Sequence, residues 1–83
     1  MSDHNEALKS ALELERSGDW DAAHKIVQGI ESPESYGIHA YLHRKEGDEA
    51  NAQYWYRRAG NAMPTCSLET EWSELRARLA SES

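Results

Sequence analysis

His39 and His43 lie four residues apart within "IHAYLHRKEGDEANAQYWYRRAG", residues 38–60. That spacing puts two imidazoles on one face of a helix, where they can chelate a divalent ion. His24 is a third candidate: if the chain reverses near Pro33, His24 and His43 are about equally far from the loop, and an antiparallel pairing sets them level. A catalytic zinc would need a third ligand and an organised outer shell, and no "HExxH" motif is present. The same side chains suit a plainer role, as structural histidines hydrogen-bonded between helices. The sequence favours that role over metal ligation, and no cofactor is expected. In either role these are the groups that titrate closest to neutral pH.

The run "YWYRR", residues 54–58, sets aromatic rings beside guanidinium groups, a combination that can hold anions or bases. Helical geometry gives it another reading: Trp55 and Tyr56 fall on one stripe, while Tyr54, Arg57 and Arg58 point elsewhere, as a core and its solvated rim. Cys66 is the single cysteine, which excludes an internal disulfide framework and a thiolate-rich metal knuckle. With no histidine beside it in sequence, it reads as a small, partly buried side chain. No Ser-His-Asp spacing and no Gly-rich phosphate loop can be assigned, so the chain is not expected to be an enzyme. A formal charge of −6 over 83 residues repels phosphate backbones and anionic headgroups, so neither nucleic acid nor a membrane surface is an expected partner. No run approaches the roughly 20 apolar residues of a bilayer span, and "MSDHNEALKS" lacks the layout of a signal peptide. A cytoplasmic location is the expectation.

The elements that must position these side chains are helices, because apolar spacing is helical throughout and no sustained alternation occurs. The expected fold is all α, a single domain over residues 1–83. Helix one spans about Asp3 to Ser17, with Asp3 and Glu6 as a capping box, a stripe of Leu8, Ala11, Leu12 and Leu14, and Gly18 as its stop. Helix two opens on Asp19 and carries Ala23, Ile26, Val27 and Ile30 on one face. The short Gly-Asp turn forces these two into an antiparallel hairpin. "ESPES" is a connector, with Ser32 as cap and Pro33 in the first turn of helix three, which runs to about Glu46. Gly47 and Asp48 repeat the stop and start, and helix four carries Ala52, Trp55, Tyr56 and Ala59. A fifth helix after "MPTC" places Leu68, Trp72, Leu75 and Leu79 on one stripe, as a closing helix.

Aligning Gly18-Asp19 with Gly47-Asp48 superposes Ala23 on Ala52, Ile26 on Trp55, Val27 on Tyr56, Ile30 on Ala59, Ala11 on Ala40 and Leu12 on Tyr41. One helical hairpin is thus written twice, unit one over about 3–31 and unit two over about 33–63, with the closing helix at about 67–80. Neither hairpin buries its apolar face alone, so stacking stabilises both. "GDWDAA" with Val27 and Ile30, and "GDEANA" with Tyr56, Ala59 and Pro64, resemble the second halves of tetratricopeptide repeats, and the tail from Leu68 resembles the helix that often closes such arrays. The two turns are 29 residues apart, against about 34 in that family. The stretch from Ile38 to Gly60 as a whole also resembles a small bacterial protein family.

The tetratricopeptide resemblance implies a use. In that family the first helix of each unit lines a concave face, and the matching positions here include Leu12 and Arg16 in unit one and Tyr41, Arg44 and Lys45 in unit two. Basic residues there can receive a peptide carboxylate or an acidic side chain. The expectation is therefore a small cytosolic protein-interaction module that docks a peptide or partner helix around those five residues. Apolar edges left by only two units could be covered in a homodimer. The alternative is a metal-binding or metal-sensing protein built on His24, His39 and His43.

Overall fold

A computed structural model describes residues 4–81, and among these the chain is all α. Five helices follow one another: α1 (His4–Arg16), α2 (Trp20–Gln28), α3 (Pro33–Glu46), α4 (Glu49–Ala59) and α5 (Leu68–Ser81). Their ends are set by local chemistry. Gly18 and Gly47 take φ of +102° and +92°, the left-handed region that a Cβ disfavours. The aspartate that follows each glycine then caps the next helix: Asp19 accepts from the Ala22 N–H at 3.1 Å and Asp48 from the Asn51 N–H at 3.3 Å. Ser32 caps α3 by accepting from the Ser35 N–H at 3.1 Å, one residue before Pro33. Asp3, half of the expected capping box on α1, lies outside the described residues.

The residues matched between the two hairpins share their burial. Ala11 and Ala40, Leu12 and Tyr41, Ala23 and Ala52, and Val27 and Tyr56 are all buried, whereas Ile26 and Trp55, and Ile30 and Ala59, are half-buried. Alanine at the crossings lets helix axes approach, and the bulkier partners fill the space beside them. α3 is the central element, packed against α4, α2, α5 and α1. It is buried almost all round from Ile38 to His43, which is why its sequence carries no simple stripe.

α5 folds back across α1 and α3. Its stripe of Trp72, Leu75 and Leu79 enters the main core with Leu8, Leu12, Ile38 and Leu42, each such side chain contributing roughly 1.5–3 kcal/mol of burial. Trp72 Nε1 donates to the Leu12 carbonyl at 3.1 Å, and Asn5 Nδ2 donates to the Leu79 carbonyl at 3.3 Å. Gly37 faces α5: a Cβ there would sit 3.6 Å from Leu75 Cδ2. The Cα radius of gyration, 11.4 Å, matches the roughly 12 Å of a chain this long folded around one core.

Candidate metal centre

α2 and α3 lie side by side, and their contact brings three imidazoles together. His24 sits one turn beyond Trp20 on α2; His39 and His43 are one turn apart on α3. His24 Nε2 and His39 Nε2 are 3.1 Å apart. The His39 and His43 rings stack with centroids 5.0 Å apart, and the His24 ring meets both edge-on at 4.8 and 5.3 Å. One nitrogen from each of the three lies within 4.8 Å of the other two. Equal distance from the loop sets His24 level with His43, but His24 lies closer to His39, with ring centroids 4.8 against 5.3 Å apart.

An outer shell fixes these rings. His43 Nδ1 is 2.7 Å from Glu46 Oε2, which favours the Nδ1–H tautomer and leaves the Nε2 lone pair as the ligating position. Trp20 stacks on His24 at 4.7 Å and 13°, and its Nε1 donates to the Leu42 carbonyl at 2.9 Å. Trp55 stacks on His39 at 3.9 Å and 14°. His39 and His43 are only 4% and 7% exposed, whereas His24 is half-buried. Burial, and then the neighbouring charges that His24 and His43 would carry, hold the His39 pKa at about 4, with Arg58 acting in the same direction. His24 is also lowered, by burial first and by His43 second, against the opposing pull of Glu46 and Asp21. Both rings are therefore neutral at pH 7, the form that carries a free lone pair. Among the described residues no buried side-chain nitrogen or oxygen lacks a hydrogen-bond partner, so the cluster is also satisfied as a set of structural histidines.

The five residues of the expected docking face are buried or already paired within the chain. Leu12 and Tyr41 are buried in the core. Arg44 Nη1 donates to Glu71 Oε1 at 2.7 Å and Nη2 to the Cys66 carbonyl. Lys45 pairs with the buried Glu15, which also accepts from the Tyr41 hydroxyl at 3.3 Å. Arg16 reaches Glu69 at 2.8 Å and lies 4.2 Å above the Trp72 ring. Glu71 is buried on α5 and accepts a 2.5 Å hydrogen bond from the Tyr56 hydroxyl. The acidic side chains that these basic residues hold thus come from the chain itself.

The run "YWYRR" divides as its helical geometry implies: Tyr56 is buried, Trp55 is half-buried against His39, and Tyr54 is 47% exposed. Arg58 folds over Tyr36 and Trp55, 4.7 and 5.0 Å from their ring centroids. Trp20, Glu46 and Glu71 were not singled out from the sequence. Each had a signal: Trp20 is four residues before His24, Glu46 three after His43, and Glu71 lies on the α5 stripe between Leu68 and Leu75.

No family model matches the chain, and no curated protein or solved structure does either. Among the described residues no helix is long and apolar enough to cross a membrane.

Proposed function

We propose that the protein binds a divalent transition-metal ion at His24, His39 and His43, as a small metal-binding or metal-sensing protein of the cytoplasm with no catalytic role. The observation that carries this reading is the convergence of three imidazole nitrogens, from two helices, within 4.8 Å of one another. Tetrahedral ligation at 2.0–2.1 Å sets ligand nitrogens about 3.3 Å apart; the His24–His39 separation is 3.1 Å. The third nitrogen needs a shift of about 1.5 Å at most to join them. Imidazole donors without thiolate suit zinc, copper(II), nickel or cobalt better than calcium or magnesium. The Glu46 carboxylate on His43 Nδ1 is the outer-shell arrangement that ligating histidines use.

Zinc-dependent melting tests this. At a hundred times its Kd, a bound ion stabilises the native state by about 2.7 kcal/mol, a rise of roughly 10 °C or more in Tm for a domain of this size. The rise is expected in the natural protein and not in His24→Gln, whose half-buried site tolerates the change. An equal response in both proteins, or none in either, overturns the reading.

A tetratricopeptide-like module that docks a protein partner is the second reading. It is favoured by one observation: the face holding Arg44 already grips an acidic helix, α5, through Glu71. A partner helix with the same chemistry would have to take the place of α5.

A further inference from the structure

Three nitrogen donors do not complete the coordination of a divalent transition ion, which takes at least four ligands. Among the described residues no fourth His, Cys, Asp or Glu groups with all three histidines; the carboxylates of Glu46 and Asp48 group with His43 alone. Glu46 is already held at His43 Nδ1, and the Cys66 segment is tied to Arg44 on the α5 side of α3. Trp20 and Trp55 cover ring faces of His24 and His39 but offer no lone pair. The burial is also one-sided, with His39 and His43 buried and His24 reaching solvent. Closed structural sites bring four protein ligands, whereas three protein ligands leave a position for an exchangeable one.

Resting on the metal-binding reading above, we propose that the centre is open: the ion held by His24, His39 and His43 keeps one exchangeable coordination position, at the His24 edge, that takes water or a small monovalent anion. Three neutral imidazoles leave the ion its full double charge, with Glu46, Asp48 and Asp21 acting on it only from the outer shell, so an anion is favoured over a neutral ligand. Polyanions are excluded by the −6 charge of the chain.

Cobalt(II) makes both claims visible in one sample of the full chain. Visible d–d bands that saturate at one cobalt per chain, and are lost in His24→Gln of unchanged helicity, support the metal reading itself. Azide is then titrated into the cobalt protein. The expected result is a saturable shift of those bands with cobalt still bound at one per chain by equilibrium dialysis. Bands that form but do not respond to excess azide show a closed centre and overturn this inference while leaving the metal reading intact. Absence of any cobalt bands removes both.

Discussion

His24 Nε2 and His39 Nε2 stand 3.1 Å apart although 15 residues separate them in the chain. One ring donates and the other accepts, so the pair holds a single shared proton at the place where an ion would replace it. A second proton there would set two like charges side by side among buried rings.

That arrangement fixes the sign of a pH effect on the metal-free protein. The His39 pKa falls from its ordinary 6.5 to about 4 on folding, and His24 shifts the same way. Between those values the unfolded chain binds more protons than the native one, so stability rises with pH across that window and is lost as pH falls through it. The His39 contribution is on the order of 3 kcal/mol. Urea midpoints measured between pH 7.5 and 4 should show a fall that is visibly shallower in His39→Gln.

Arg44 and Arg16 both pair with glutamates of α5, and their loss should have unequal consequences. Glu71 is buried, so Arg44→Met leaves an uncompensated carboxylate inside the protein and is expected to cost about 3 kcal/mol. Glu69 is largely exposed, and Arg16→Met should cost less than about 1 kcal/mol. Chemical denaturation of the two variants checks the ratio.

Two glycines make a matched contrast. Gly47 has φ +92°, and alanine there should destabilise by about 1 kcal/mol although nothing lies within 4 Å of the added carbon. Gly37 is inside α3, where the new Cβ meets Leu75 Cδ2 at an ordinary 3.6 Å. Gly37→Ala should be neutral or raise stability by up to about 1 kcal/mol through helix propensity. Thermal melting of both variants reads the two signs.

Trp20 should matter to the histidines beyond its own packing. Trp20→Phe removes the Nε1 hydrogen bond to the Leu42 carbonyl and is expected to cost about 1 kcal/mol. With the wall against His24 loosened, that imidazole should titrate closer to its ordinary value. NMR titration of the His24 ring in the two proteins follows this directly.

The helices were legible because their ends are local: Gly18 with Asp19, Gly47 with Asp48, and Ser32 with Pro33 each carry their own stop or cap. The all-α class followed from those signals and from the spacing of apolar residues. His39 and His43 were visible as a pair for the same reason, since four residues make one helical turn. The placement of α5 was not legible. A stripe of Leu68, Trp72, Leu75 and Leu79 says that one face is buried but not against which helices, and nothing local tells that Glu71 will meet Arg44. The register of α2 on α3 was likewise decided by packing, which is why His24 meets His39 more closely than the His43 that counting from the loop put level with it. The Trp20 and Trp55 walls depend on that register and were out of reach with it.

Calorimetric titration of zinc into the metal-free protein at pH 7.5, beside His39→Gln and a His4→Gln control, decides whether these three histidines hold an ion. The three-histidine centre predicts one saturable site per chain in the natural protein and in His4→Gln, and its loss in a folded His39→Gln. Zinc binding that survives His39→Gln unchanged, or a natural protein that takes up none, would contradict it.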